Sequence, residues 1–338
     1  MLKLKDRINL LMCLGAYISN DHPDWQAARH QAYLHNSWFD EHHIQQAATN
    51  IAEAFLQEDK LQSWIKQYPF LDNTDEREDK PVVGIVMAGN IPLVGFHDFL
   101  CVWLAGFPMK IKLSSKDTVL WQFILAKLLE WNHAAGDQVQ LAEMLKGCDA
   151  YIATGSNNSA RYFDYYFRKY PHIIRKNRTS AAILDGGESQ EVLEQLADDI
   201  GNFYGLGCRN VTQIFVPEAY DFTNLLLALK RYDTHLMHHK YKNNYDYQLA
   251  LLLLNNQTYL SNEVFLLREQ DQPFAAISML HYQYYSDRDK LINTLRSDDR
   301  YQCIVGRGEG LVAPGSSQQP SLKDYADGVD TMQFLSGL

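Results

Sequence analysis

Pro81-Val-Val-Gly-Ile-Val-Met-Ala-Gly-Asn-Ile-Pro92 is an apolar run that breaks at a Gly-Asn pair and closes on proline. A short run rich in valine and isoleucine, bounded by turn residues, predicts a buried strand over 82–88. Pro92 suits the first turn of a helix, where its missing N–H would lack a partner anyway, so a helix is expected over 92–104. Residues 109–113 read as a second strand, 117–131 as a helix, and 150–153 and 181–184 as further buried strands. Strand, crossover and strand at this spacing imply a parallel sheet covered by helices, the doubly wound α/β class.

Ligands of such sheets sit beyond the carboxyl ends of the strands. Polar residues gather at those ends: Asn90 after the first strand, Lys112, Ser114 and Ser115 after the second, and Thr154, Gly155 and Ser156 after the third. Singly, each has an ordinary reading. Asn90 suits a turn, Lys112 a solvated strand end, and Thr154-Gly155-Ser156 a serine-capped start of a helix.

The chemistry concentrates in Asn202-Phe-Tyr-Gly-Leu-Gly-Cys-Arg-Asn-Val-Thr-Gln-Ile-Phe-Val216. A helix over 190–204 is expected to run into a glycine-framed turn carrying Cys208, followed by a buried strand over 213–216. Arg209 beside the thiol favours the thiolate, which is the nucleophilic form. The competing reading is an inert cysteine before a strand. Beyond it, Asp221 is placed to cap another helix. Tyr241, Tyr245, Tyr247 and Tyr259 then form an aromatic stretch, for which core packing is the default and an acyl-chain pocket the alternative. A second α/β domain supplying the thiol is the economical reading.

Composition excludes several classes. The 338 residues are 46% hydrophobic and 21% charged, ordinary for a globular enzyme. A net charge of -10 argues against nucleic-acid binding. Five dispersed cysteines suggest a reduced, cytoplasmic setting rather than a disulfide framework. Lys3, Lys5 and Arg7 precede the apolar run 8–18, but Asp6 interrupts them, so an amphipathic helix is expected and not an export signal. No run approaches the ~20 apolar residues of a bilayer-spanning helix, and no membrane insertion is expected.

Residues 1–71 show helical spacing, and the charged stretch 72–80 reads as a solvated linker. The expected organisation is 1–80 as an N-terminal helical region and linker belonging to the cofactor domain. The dinucleotide-binding domain follows over 81–185, then a catalytic cysteine domain over 186–315 and a tail over 316–338. His235, His238 and His239 lack the cysteine or carboxylate partners of a metal site, and no metal is expected. The glycine-rich turn 306–310 opens no helix and fails the dinucleotide fingerprint. His97 and Asp98 read as structural, and His172 as a surface or satisfied histidine, with a proton relay as the alternative.

Taken together, these motifs resemble the acyl-CoA reductases of the aldehyde dehydrogenase superfamily, the group that includes the fatty acid reductase of bacterial luminescence. The resemblance spans 81–338. Gly89-Asn90-Ile91-Pro92 looks like the Trp-Asn-Phe-Pro motif, whose asparagine helps form the oxyanion hole. Lys112-Leu-Ser-Ser115 looks like the Lys-Pro-Ser-Glu motif that holds the cofactor ribose. Thr154-Gly155-Ser156 is similar to the turn against the cofactor, and Cys208 falls on the nucleophile. Asp324-Tyr-Ala-Asp-Gly-Val-Asp-Thr331 looks like the C-terminal signature of the reductase branch.

The resemblance implies an aldehyde dehydrogenase-like fold and NADP-dependent reduction of an acyl-CoA to a fatty aldehyde through a thioester on Cys208. Two departures refine it. Residues 169–184 contain no Asp or Glu, so the water-activating glutamate of aldehyde-oxidising members is missing. Ser115 replaces the ribose-binding glutamate and Lys116 follows it, which favours a 2′-phosphate and hence NADPH over NADH. Self-association is common in the superfamily, and residues 1–70 offer a place for a partner enzyme that supplies the acyl group or consumes the aldehyde. The alternatives are a cysteine-dependent acyltransferase or thioesterase without nicotinamide, and a non-catalytic binding member of the fold.

Overall fold

Apolar spacing by three and four shapes the N-terminal region. In the computed structural model, which describes residues 2–20 and 22–338, it forms helices α1 (Leu4–Ser19), α2 (Pro23–His35), α3 (Glu41–Phe55) and α4 (Glu58–Ile65). In α3, Ile44, Ala47, Ala48, Ile51, Ala52 and Phe55 form the buried stripe, and the Asp40 carboxylate caps the helix by accepting from the His43 N–H at 2.8 Å. The chain divides into two units, Met1–Asn177 with Pro320–Leu338, and Arg178–Gln319.

The first unit carries a parallel sheet of β1 (Val83–Val86), β2 (Met109–Lys112), β3 (Val139–Leu141), β4 (Ala150–Thr154) and β5 (His172–Arg175), in the order β3-β2-β1-β4-β5. Crossovers run through α5 (Phe96–Ala105), α6 (Thr118–Trp131) and α7 (Asn157–Phe167). Helix α5 is apolar almost all round, and nearly every residue of it is buried. It begins four residues later than the proline suggested, because Leu93 has a φ of 55° that no right-handed helix accommodates. Strands β3 and β5 escape a reading of the sequence: one is three residues long and partly exposed, the other mixes histidine and arginine with isoleucine.

The stretch expected to be a solvated linker is only partly so. Arg7 on α1 is wholly buried, and its guanidinium donates to the Leu2 carbonyl (2.6 Å), the Asp75 carboxylate (2.9 Å) and the Leu104 carbonyl (3.1 Å). Asp75 therefore ties the linker to α1, and it also accepts from the Leu4 N–H at 2.8 Å. Burial lowers the Arg7 pKa and the Asp75 charge opposes that shift. The C-terminal segment, expected to be a separate tail, packs within this unit from Pro320 onward. Tyr325 accepts from the Trp64 indole (3.1 Å) and shares a hydrogen bond with Tyr68 (2.6 Å), while Arg175 binds Thr331 (2.9 Å) and pairs with Asp98. His97 donates to the Leu322 carbonyl at 3.1 Å, so the His97-Asp98 pair anchors this segment.

The second unit is built from β6 (Thr179–Ile183), α8 (Gln190–Gly201), β7 (Val211–Pro217), α9 (Thr223–Leu229) and α10 (His239–Leu254), followed by β8 (Leu260–Ser261), β9 (Leu266–Glu269), β10 (Met279–Tyr285), α11 (Arg288–Ser297) and β11 (Tyr301–Val305). Its sheet has the order β11-β6-β7-β10-β9-β8, parallel except for the β8–β9 pair. Strand β6 is the one expected to end the first sheet; it pairs with β7 and β11 instead, because β5 already forms that edge. The division accordingly falls after Asn177 rather than near 185. Asp221 accepts from the Thr223 N–H at 2.9 Å near the start of α9. Tyr241 and Tyr245 are buried and Tyr247 is exposed, so the aromatic stretch serves partly as core. Among the described residues, no helix is long and apolar enough to cross a membrane. The doubly wound α/β class read from the apolar runs is the class observed.

Candidate active site

Three of the expected loops leave adjacent strand ends in the first unit. Val86 of β1 pairs with Lys112 of β2 on one side and Ala153 of β4 on the other. The loops carrying Asn90, Lys112 to Ser115, and Thr154 to Ser156 therefore share one carboxyl edge. From β1 the chain steps outward to β2 and β3, then returns to β4 on the opposite side. The β1–β4 boundary is thus a topological switch point, where ligands of open α/β sheets bind.

The Asn90 loop is held tightly against its neighbour. A Cβ on Gly89 would lie 2.5 Å from the Ser114 hydroxyl oxygen, so only glycine lets the two loops approach. Leu93 is held in its left-handed conformation by its N–H, which donates to the Asp117 carboxylate at 2.8 Å. Asp117 sits where a cap for α6 would be, yet its side chain makes no cap bond and serves the Asn90 loop instead. Asn90 itself is half-buried, Ser114 is half-buried, and Lys112, Ser115 and Lys116 are exposed. His35 donates to the Ser115 carbonyl at 2.8 Å and the Asn36 amide to that of Lys116 at 3.3 Å. Nothing in the spacing of the sequence signals these contacts from α2.

Asp117 is almost wholly buried, and burial raises its pKa well above the usual carboxylate range, with the Leu93 N–H working the other way. A carboxyl whose folded pKa lies above its unfolded value (~3.9) stabilises fully below that value. The contribution is lost as pH rises through the folded pKa. Asp117→Asn keeps an acceptor for Leu93 and cannot ionise. Its stability is expected to fall less than that of the wild type as pH rises above the ordinary carboxylate range, as read from urea midpoints. Parallel pH profiles would contradict the assignment.

Thr154-Gly155-Ser156 forms a strand-to-helix turn. The Ser156 hydroxyl caps α7 by accepting from the Ser159 N–H at 3.2 Å, and the Gly155 N–H donates to the Arg175 carbonyl at 3.2 Å. A Cβ on Gly155 would meet Phe163 and Ser159, each at 2.9 Å. Local packing alone accounts for these residue types.

Cys208 belongs to the second unit. Helix α8 ends at Gly201, three residues earlier than expected, and Phe203, Tyr204 and Gly205 follow with φ of 54°, 57° and 74°. The turn from Gly207 to Asn210 closes with the Asn210 N–H donating to the Gly207 carbonyl at 3.1 Å. Cys208 and Arg209 are half-buried within it. Ser180 on β6 donates to the Cys208 carbonyl at 3.1 Å and lies 3.1 Å from the Cys303 sulfur. His235 donates to the Gly201 carbonyl at 3.0 Å, and His238 caps α10 by accepting from the Tyr241 N–H at 3.3 Å. Among the described residues, no group of three His, Cys, Asp or Glu side chains could hold a metal ion. Asn210, Ser180 and Asp117 were the residues that sequence reasoning missed, since their partners are set by tertiary packing.

A family model described as Acyl-CoA reductase (LuxC) matches residues 26–236. No curated protein is similar enough to count as a match. Among solved structures, an aldehyde dehydrogenase from Mycobacterium tuberculosis complexed with NAD+ is 13% identical, with a TM-score of 0.59 over 88% of this chain and 71% of that one. The NADP-dependent glyceraldehyde-3-phosphate dehydrogenase from Bacillus halodurans C-125, complexed with NADP, is 11% identical, with a TM-score of 0.61 over 90% and 74%. An oxidoreductase from Marinobacter aquaeolei is 10% identical, with a TM-score of 0.63 over 86% and 71%. At these identities the likeness establishes the fold alone: an aldehyde dehydrogenase-like architecture.

Proposed function

Because the chain belongs to the acyl-CoA reductase (LuxC) family, we propose that it reduces an acyl-CoA thioester to an aldehyde, using NADPH and a covalent acyl intermediate on Cys208. The observation that carries this reading is the Cys208 turn, in which side-chain hydrogen bonds fix the backbone around a half-buried cysteine that follows a Gly205-Leu-Gly207 segment.

The Cys208 thiolate attacks the thioester carbonyl, forming a C–S bond and a tetrahedral oxyanion. The Asn90 amide and the Cys208 N–H are assigned as donors to that oxyanion. Its collapse breaks the bond to coenzyme A, whose thiolate is a good leaving group and takes up a proton from water. The acyl group remains on Cys208, and splitting the reaction this way lowers each barrier. When bound, the nicotinamide supplies the hydride that reduces the acyl carbon. The resulting oxyanion expels the Cys208 thiolate and releases the aldehyde. With no Asp or Glu in 169–184, no carboxylate from that segment activates water against the acyl-enzyme.

The carboxyl edge of the first sheet suits the cofactor. Gly89 permits close approach of the β1 loop, Lys112 is exposed to bind ribose or phosphate, and Thr154, Gly155 and Ser156 line the adjacent strand end. Exposed Ser115 and Lys116 offer a hydroxyl and a positive charge where a glutamate would repel a 2′-phosphate. The test is turnover of a panel of acyl-CoAs, followed by loss of reduced-nicotinamide absorbance. The value of kcat/KM with NADPH is expected to exceed that with NADH by about tenfold or more, a difference of about 1.4 kcal/mol. A preference for NADH would overturn the phosphate argument. Release of free acid without aldehyde would favour a thioesterase.

A further inference from the structure

We propose that Asn210 is a positioning residue for the nucleophile, setting the direction of the Cys208 N–H and sulfur for attack on a thioester; this rests on the reductase reading. Asn210 is wholly buried, and its side chain bonds to the backbone of four residues. Its side-chain carbonyl accepts from the Gly207 N–H at 2.8 Å. Its amide donates to the carbonyls of Asp199 (3.0 Å), Ile200 (3.4 Å) and Asn202 (2.9 Å). Its own N–H donates to the Gly207 carbonyl at 3.1 Å. One side chain thus joins the end of α8 to the cysteine turn.

Two consequences follow from peptide geometry. The Gly207 carbonyl points into the turn, toward Asn210, so in a planar trans peptide the Cys208 N–H points the opposite way, out of the turn. The next peptide plane is set by Ser180, whose buried hydroxyl donates to the Cys208 carbonyl at 3.1 Å. The Gly207–Cys208 peptide is therefore held by the Asn210 backbone N–H, the Cys208–Arg209 peptide by the Ser180 hydroxyl, and the preceding Leu206–Gly207 peptide by the Asn210 side chain. The left-handed Phe203 and Tyr204 carry backbone strain, which persists only where surrounding bonds over-determine the backbone. The amide bonds from Asn210 to Ile200 and Asn202 bracket that strained segment on its N-terminal side.

Positioning and mere scaffolding are separable by chemistry. Acylation by a thioester develops an oxyanion that needs a directed N–H, whereas alkylation by iodoacetamide is a direct displacement at carbon and develops none. In the full-length chain, Asn210→Ala is expected to slow acylation of Cys208 by octanoyl-CoA by about 10–100-fold. Alkylation of Cys208 by iodoacetamide is expected to stay within about threefold of wild type, since it needs no such donor. Both rates are read by mass spectrometry of the Cys208 peptide, with circular dichroism as the check on folding. Ser180→Ala, which removes a single hydroxyl, is expected to act in the same direction by about 3–10-fold, and it carries the comparison if the Asn210 variant does not fold. Equal losses in both reactions, or unchanged acylation, would overturn the role. A wild-type Cys208 that alkylates but is never acylated would instead end the reductase reading, and this role with it.

Discussion

Cys208→Ala is expected to reduce acyl transfer from acyl-CoA to the uncatalysed background, with no acyl adduct by intact mass and no aldehyde formed. The reaction needs a group that accepts the acyl chain and then releases it, and alanine offers none. Cys208→Ser is expected to be nearly as inactive. A hydroxyl at neutral pH is far less ionised than a thiol, and a serine nucleophile depends on an adjacent general base. His235 and His238, the histidines placed near the end of α8, are already engaged with the Gly201 carbonyl and the Tyr241 N–H. Folding should be unaffected, since a thiol and a hydroxyl differ little in size at a half-buried site. Normal turnover in either variant would refute the covalent mechanism.

Asn90→Ala should lower kcat by about 10²–10³-fold, the usual effect of losing one oxyanion donor. Because the donor acts on charge that develops only in the transition state, KM should change little. The loop that carries Asn90 is held by Gly89 against Ser114 and by Leu93 on Asp117, none of which involves the Asn90 side chain. A rise in KM at constant kcat would mean that Asn90 binds substrate in the ground state, and would remove it from the oxyanion hole. Unchanged kinetics would remove it from the site altogether.

Much of the first unit was legible because its signals are local. The run from Pro81 to Pro92 holds a buried strand and the loop that follows it, and the same pattern of apolar run and polar break recurs at Lys112 and Thr154. The pairing of Val86 with Lys112 and Ala153 then places all three breaks on one edge, as expected for a doubly wound sheet. Short or mixed strands such as Val139–Leu141 and His172–Arg175 were not legible, because too few apolar residues remain to mark a buried face.

The amino-acid order by itself determined the α/β class and the glycine-preceded turn that carries Cys208. These depend on periodicity and on conformations open chiefly to glycine, both readable over a few residues. Only the tertiary structure decided that strand Thr179–Ile183 pairs with β7 and β11, that Asp117 serves the Asn90 loop rather than its own helix, and that Asn210 holds the Cys208 turn. Strand partners, and the donors satisfied by a buried side chain, are chosen when distant segments pack. A buried polar group must then bond to whatever backbone that packing brings within reach.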